Sequence, residues 1–203
     1  RFAGPLRFGT AGLRAPVRGG PQGLNRAVVR RTAAGLAAHL GPGSTVVLGR
    51  DARHGSEAFC SDAAAVLAGA GVRALVLPRP LPTPVVAYAV RHLGATAGLM
   101  ITASHNPATD NGIKIFLADG AQLPSPDDEQ LEGAIAVVGP AVDLRLGVPE
   151  PLGQDLVDAY VAAAAGVLLT GFRDVSVAYT PLHGVGLETL LAAFAAGGFA
   201  APA

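Results

Sequence analysis

Short apolar runs alternate with helical segments through the first half of the chain, and this alternation constrains the fold more than any other feature. The runs at 45–48, 72–77 and 97–102 predict buried strands, because each is short and bounded by polar, glycine or proline residues. The segments between them, about 57–70 and 84–93, have the apolar spacing of helices. Strand, helix, strand, helix, strand at this spacing is typical of right-handed crossovers and a mainly parallel sheet.

Flanking segments extend the pattern. Asn25 predicts the start of a helix over about 26–40, and Ser56 is predicted to cap the helix that follows the first buried strand. Alternating apolar residues over 113–117 predict a half-buried strand, and a further helix is expected over about 127–138. The predicted fold class is α/β, with a mainly parallel mixed sheet and helices on both faces.

A stretch containing proline and glycine, 139–151, predicts a domain boundary. We therefore divide the chain into a first domain over 1–148 and an incomplete second domain over 149–203. A helix from about 154, a strand over 175–180 and a glycine-rich turn predict that the second domain opens as another α/β unit.

Charge, cysteine content and the two ends of the chain give a first indication of the class of protein. The 203 residues carry 15 basic and 15 acidic side chains, so charge gives no reason to expect a nucleic acid or a membrane surface as partner. The single cysteine, Cys60, favours a reducing compartment, and we expect a cytoplasmic protein. The chain starts without Met and stops in a Gly/Ala-rich segment, and we expect it to be a piece of a longer protein.

The segment Thr102–Pro107 holds the strongest chemical signal. Ser104 and His105 follow directly after an apolar strand, at the end of a parallel strand where α/β sheets bind ligands. Lys114, ten residues after the serine, is the only lysine in the chain, whereas every other side chain of the Lys and Arg type is arginine. Because a partly buried lysine can release its proton and an arginine cannot, this position is a candidate for proton transfer.

Ser104 has three interpretations. It can be a turn serine ahead of Asn106-Pro107, an acyl-transfer nucleophile, or a carrier of a phosphoryl group. The flanking glycines of a Gly-x-Ser-x-Gly elbow are missing, which disfavours the acyl-transfer nucleophile. A phosphoserine needs cations nearby, and Lys114 meets that need.

Two further loops lie in the same predicted region. The small residues of Phe8–Arg14 allow backbone N–H groups to approach an anion, and Arg14 can bind a phosphate through two hydrogen bonds. The loop 49–54 follows another strand end. In it, Asp51 stands between two arginines, either as the centre of a structural ion-pair network or as part of the site.

These segments resemble the α-D-phosphohexomutases, the family of the phosphoglucomutases and phosphomannomutases. The similarity rests on Thr102–Pro107 with Asp110–Lys114, on Phe8–Arg14, on the Gly-Arg-Asp-x-Arg segment 49–53, and on the turn 180–186. Arg14 followed by Ala15 is similar to the branch of bacterial phosphomannomutases and phosphoglucomutase-2 proteins. The motifs occur in order over nearly the whole chain.

The resemblance implies a function and its residues. Ser104 would carry the phosphoryl group and, once phosphorylated, give one oxygen to Mg²⁺. Lys114 would be the general acid and base, and His105 a third catalytic residue. The residues that would bind the sugar phosphate or sugar bisphosphate are Arg14, Asn106 and Thr10.

The resemblance also implies that parts of the machinery are not in this chain. The family's remaining metal ligands, sugar-recognition loop and last phosphate-binding domain would follow residue 203, so we expect negligible turnover from the chain alone. A non-catalytic module that binds sugar phosphates, and a phosphopentomutase of the same family, are the alternatives. A serine hydrolase is disfavoured by the missing elbow.

Overall fold

The computed structural model describes residues 2–9, 12–168 and 171–203 of the chain. Strands and helices alternate, as the sequence predicts. In chain order they are β1 (Leu13–Pro16), α1 (Arg26–Leu40), β2 (Thr45–Arg50), α2 (Ser56–Gly69), β3 (Arg73–Val76), α3 (Thr83–Leu93), β4 (Ala97–Ile101), β5 (Asp110–Leu117), α4 (Asp127–Ala136), β6 (Glu150–Pro151), α5 (Gln154–Ala165) and α6 (Leu187–Ala196).

Within the described residues, a six-stranded sheet in the order β1-β5-β4-β2-β3-β6 forms the centre of the fold. β2 pairs in parallel with β3 and β4, and β6 extends the sheet in parallel beside β3. β5 returns antiparallel to β4, and β1 pairs antiparallel with β5 at the edge. The predicted α/β class with a mainly parallel mixed sheet is confirmed.

Helices cover both faces of this sheet, because successive side chains of a strand point to opposite sides. Val46 and Leu48 of β2 belong to a core that also contains side chains of α1, α2 and α4. Val47, between them, belongs to a second core with side chains of α3 and α5. The sheet is therefore the middle of three layers, and the loops at its strand ends remain open to solvent.

Helix α1 has the bounds that the sequence predicts. Asn25 Oδ1 accepts a hydrogen bond from the Val28 N–H at 3.1 Å, which satisfies one free donor of the first turn. The amide nitrogen of Asn25 also donates to the carbonyls of the preceding turn, at Arg18, Gly20 and Gly23. In the described ranges, no helix is long and apolar enough to cross a bilayer.

Two strand bounds differ from prediction at the edge of the sheet. The loop predicted over Phe8–Arg14 gives way to β1 at Leu13, and β5 begins at Asp110 rather than near Ile113. These residues pair with each other, since Leu13 lies opposite Ile113 and the register continues to Asp110. Their strand character comes from this long-range pairing, which the local sequence pattern does not contain.

The predicted strand over 175–180 is wrong. These described residues form no strand of the sheet, because a strand requires a ladder of pairing partners and no neighbouring strand is described beside them. Two hydrogen bonds link the segment to Ala203: the Tyr179 N–H donates to the Ala203 carbonyl at 3.0 Å, and the Ala203 N–H donates to the Val177 carbonyl at 2.9 Å. The following helix, α6, forms as predicted.

Elements beyond residue 148 contact the first part of the chain. The strand β6 pairs with β3, and Leu156 and Val157 of α5 are buried in the core that α3 helps to form. Helix α6 packs on α5. The division of the chain at residues 148 and 149 stays a prediction.

Gly35 lets α1 and α4 approach closely. A Cβ atom at this position would lie 2.8 Å from Ile135 Cα and 2.9 Å from Ile135 N, far inside van der Waals contact. Glycine in a helix interior costs about 1 kcal/mol relative to alanine, so a glycine here is explained by packing rather than by propensity. Gly133 of α4 is also helical, but a methyl group there would meet no neighbouring atom within 4 Å.

We predict opposite effects of the same substitution at these two glycines. Gly35→Ala should lower the free energy of unfolding by about 1–3 kcal/mol, because α1 and α4 must separate. Gly133→Ala should raise it by up to about 1 kcal/mol through helix propensity alone. Urea unfolding followed by circular dichroism measures both, and a stabilising Gly35→Ala would contradict the close contact between the helices.

Candidate active site

Ser104 lies in the loop that follows β4, two residues past the buried Thr102, and its side chain is exposed. Its φ is 58°, in the left-handed region that residues other than glycine rarely adopt. The Ser104 N–H donates to Thr102 Oγ1 at 2.9 Å. The hydroxyl lies 3.4 Å from His105 Nδ1, so the structure brings these two predicted residues together in a long contact.

Asn106 ties the serine loop together. Its N–H donates to the Ala103 carbonyl at 3.1 Å, and its side-chain amide donates to Asp110 Oδ2 at 3.0 Å. The amide oxygen accepts a hydrogen bond from Arg14 Nη1 at 3.0 Å. Asn106, predicted as a phosphate-binding residue, therefore links the loop to β1 and to the start of β5.

The strands place Arg14 and Lys114 on one face of the sheet. Arg14 lies opposite Gly112 across the β1–β5 pair, and Lys114 is two residues further along β5. Because side chains two residues apart share a face, Arg14 and Lys114 are diagonal neighbours. Lys114 lies opposite Met100, near the carboxyl end of β4. The predicted lysine is thus at the end of the sheet from which the serine loop leaves.

Gly112 makes this convergence possible. A Cβ atom there would lie 2.6 Å from the Leu13 carbonyl oxygen and 2.8 Å from that of Thr102. Any side chain would push apart β1, β5 and the start of the serine loop. The glycine keeps Arg14 within hydrogen-bonding distance of Asn106.

The environment of Lys114 makes its charged form less stable than that of an exposed lysine. Partial burial lowers the pKa of the Lys114 ammonium below its ordinary value of 10.5, and the positive charge of Arg14 lowers it further. An arginine at position 114 would stay charged, because a guanidinium does not lose its proton in proteins. The partial burial of Lys114 and the nearby charge of Arg14 are therefore consistent with a group that transfers protons.

A positively charged cavity of about 580 Å³ opens beside Arg14. Arg7, Arg14 and Arg18 line it, and no carboxylate is among its described lining residues. Such a concentration of guanidinium groups favours an anionic ligand. Thr10, the remaining predicted phosphate-binding residue, lies outside the described residues.

Arg53 is a residue to which the sequence analysis gave no role of its own. Its guanidinium donates to four backbone carbonyls of the serine loop, those of Ser104, Asn106, Pro107 and Asp110. The sequence signals for Arg53 are its place at the end of the Gly-Arg-Asp-x-Arg segment and its position in the loop after β2, at the same end of the sheet as the serine loop. Hydrogen bonds to backbone carbonyls cannot be predicted from residue types, because every residue carries a carbonyl group.

Asp51 is the centre of a structural network. Its Oδ1 accepts hydrogen bonds from the Arg53 N–H at 3.0 Å and from the Ser56 hydroxyl at 2.6 Å. Its Oδ2 lies 3.4 Å from Arg53 Nε. Of the two interpretations left open by the sequence, the structure favours the structural one. Ser56, predicted to cap α2, instead donates to Asp51, and Gly55 occupies the cap position.

Comparison with known proteins finds related sequences that cover most of the chain. The family model described as "Phosphoglucomutase/phosphomannomutase, alpha/beta/alpha domain I" matches residues 5–139. A Haemophilus influenzae protein named "Probable phosphomannomutase" is 41% identical over 189 residues, which is 89% of this chain and 39% of that protein. A Staphylococcus saprophyticus phosphoglucomutase is 42% identical over 149 residues, which is 72% of this chain and 27% of that protein.

Solved structures share the fold. The structure of a Thermus thermophilus protein described as a phosphomannomutase superposes with a TM-score of 0.84 and 32% identity, covering 98% of this chain and 45% of that one. The parafusin phosphoglucomutase from Paramecium superposes with a TM-score of 0.74 at 18% identity, which shows a common fold alone. The chain spans less than half the length of each of these relatives.

The lowered pKa of Lys114 predicts a pH-dependent effect of removing its charge. Below the folded-state pKa the charged ammonium destabilises the fold, and this penalty disappears as the pH rises towards the unfolded value of 10.5. Lys114→Met should therefore raise the melting temperature at pH 7 by more than it does at pH 10.5. Thermal unfolding of both proteins at the two pH values checks this, and an equal difference at both would contradict the shift.

Proposed function

Because this chain belongs to the phosphoglucomutase/phosphomannomutase family, we propose that it forms the amino-terminal part of a phosphosugar mutase. The reaction is the interconversion of a hexose 1-phosphate and a hexose 6-phosphate, of glucose or mannose, through a phosphoserine and a sugar bisphosphate. The observation that carries the proposal is the exposed Ser104 hydroxyl. It lies just past the carboxyl end of β4, at the same end of the strands as Arg14 and Lys114.

Ser104 is proposed as the phosphoryl carrier. In the forward step the bond between its Oγ and phosphorus breaks, and a bond forms between phosphorus and a sugar hydroxyl oxygen. The proton of that sugar hydroxyl passes to the amine of Lys114, and Lys114 in turn protonates the departing Ser104 Oγ. In the return step the other phosphoryl group of the bisphosphate moves to Ser104 Oγ, whose proton passes to Lys114, and Lys114 protonates the leaving sugar oxygen. The lowered pKa of Lys114 supports this role, since a base must be available unprotonated.

Cationic side chains are proposed to hold the phosphate groups. Arg14 lines the arginine-rich cavity and already holds Asn106 of the serine loop. His105 is proposed to donate a hydrogen bond to a phosphate on the Ser104 oxygen, and the 3.4 Å distance between its ring and that hydroxyl supports this role. Thr10 is kept as a proposed phosphate-binding residue on the sequence resemblance alone.

Mg²⁺ is the proposed cofactor of the longer protein, where it would neutralise charge on the transferring phosphoryl group. Among the described residues, no group of three or more His, Cys, Asp or Glu side chains can hold a metal ion. The donor set of the described residues therefore does not by itself fit Mg²⁺, which prefers octahedral oxygen coordination. The only ligand proposed from this chain is a phosphate oxygen on Ser104.

The remaining domains of the same protein are the proposed partner of the last part of this chain. Large apolar side chains are exposed between residues 167 and 191, among them Val167 at 73%, Phe172 at 64% and Leu182 at 82%. Exposed apolar surface of this kind marks a contact with other protein. We propose that these residues are covered in the longer protein, and that this protein is cytoplasmic.

Phosphorylation of Ser104 is the first test of the proposed function. After incubation of the full reading frame with glucose 1,6-bisphosphate and Mg²⁺, intact mass spectrometry should find one phosphate, located at Ser104 by peptide mapping. Ser104→Ala should remove it, whereas Ser61→Ala, a change of an exposed helical serine, should leave it. Binding of the sugar phosphate without any phosphorylation would favour the non-catalytic module, and equal labelling of Ser104→Ala would remove the carrier assignment.

Lys114→Arg separates proton transfer from charge. The variant keeps the positive charge but cannot supply a neutral base, so kcat of the full-length enzyme should fall by about 10²- to 10⁴-fold. Steady-state kinetics with glucose 1-phosphate and mannose 1-phosphate measures this loss. An arginine variant with normal turnover would show that Lys114 acts through its charge alone.

A further inference from the structure

One guanidinium group donates hydrogen bonds to four backbone carbonyls of the serine loop and the start of β5. Arg53 Nη2 donates to the Ser104 carbonyl at 2.8 Å and to the Asn106 carbonyl at 2.7 Å. Arg53 Nη1 donates to the carbonyls of Pro107 at 2.8 Å and Asp110 at 3.0 Å. The Arg53 side chain is only 16% exposed, and its charge-assisted bonds to the Asn106 and Asp110 carbonyls are partly shielded from water.

These contacts fix the backbone on both sides of the Ser104 side chain. Its N–H is held by Thr102 Oγ1 and its carbonyl by Arg53 Nη2. A φ of 58° at a serine is strained, and such a conformation persists only where surrounding contacts determine it. With both peptide groups held, the direction of the Cα–Cβ bond is set, and so is the region that the hydroxyl can reach.

Arg53 is itself held by a chain of buried polar groups. Asp51 pairs with Arg53 and accepts a hydrogen bond from Ser56, which is fully buried. Ser56 Oγ in turn accepts a hydrogen bond at 2.8 Å from the side-chain amide of Asn111, and Asn111 Oδ1 accepts the Gly112 N–H. The arginine is therefore fixed to α2 and to β5, and not only to the loop that it contacts.

We infer that Arg53 is a positioning residue, which holds the serine loop so that the Ser104 hydroxyl lies in line with the transferring phosphoryl group. This inference rests on the proposed function. It needs no contact between Arg53 and substrate, because the four acceptors of the guanidinium all belong to the loop. A small displacement of a reacting group lowers the reaction rate strongly. Holding the serine loop in place would therefore affect the rate of phosphoryl transfer.

Arg53→Lys tests the inference in this chain by amide hydrogen exchange. An ammonium keeps the charge but donates from a single point and cannot bridge four carbonyls. Exchange of the hydrogen-bonded amides of Ser104, Asn106 and Asp110 should accelerate by about tenfold or more, while amides of β4 stay protected. Arg73→Lys is the matched control, since Arg73 makes three exposed hydrogen bonds to Glu150, and it should leave the loop unchanged.

A second variant separates positioning from a role in folding. Asp51→Asn retains the guanidinium but removes its carboxylate partner, and should accelerate the same loop amides by a smaller factor. Unchanged loop exchange in Arg53→Lys would overturn the inference. Loss of protection throughout the sheet in both variants would also overturn it, because Arg53 would then support the whole fold rather than the loop.

Kinetics of the full-length enzyme complete the test. Arg53→Lys should slow the phosphorylation of Ser104 and lower kcat by about tenfold or more, with KM for the sugar phosphate within about twofold of the unchanged enzyme. A raised KM at constant kcat would assign Arg53 to substrate binding and overturn the positioning role. If the unchanged enzyme never takes phosphate on Ser104, the proposed function fails, and hydrogen exchange still decides whether Arg53 holds the loop.

Discussion

An irregular loop at the end of a buried strand has carbonyl groups that no sheet ladder can satisfy, and each of them needs a donor when water is excluded. In this protein the guanidinium of Arg53 supplies four of those donors at once. Its planar fork suits this task, because several N–H groups point outwards in fixed directions. The exposed position of Ser104, the turn at Asn106 and the start of β5 all depend on the loop that this group holds.

Holding a loop by a buried charge is costly unless the charge is paired and every polar neighbour is satisfied. The pairing with Asp51 and the hydrogen bonds through Ser56 to Asn111 meet that condition. The network joins residues from the loop after β2, from α2 and from β5, so three parts of the fold must be in place before the serine loop is complete. The conformation of the serine loop is thus determined by contacts across the packed domain and not by the loop sequence alone.

The sequence was sufficient for elements whose signals are local. The bounds of α1 follow from the cap at Asn25 and the glycine after the helix, and buried strands follow from compact apolar runs. It was insufficient for elements whose formation depends on pairing with residues far along the chain. β1 exists because it pairs with β5, whereas the segment 175–180 has only Ala203 beside it in the described residues and therefore forms no strand. Ser104 and Lys114 could be found by residue type, whereas the loop contacts of Arg53 are all to backbone atoms.

Arg14 connects the two chemical groups of the site. It holds Asn106, which fixes the serine loop, and its charge helps to lower the pKa of Lys114. Under the proposed function, a phosphate dianion near Arg14 and Lys114 would offset the repulsion between these two cations. Arg14 therefore links the conformation of the serine loop to the charge of the residue that is proposed to transfer protons.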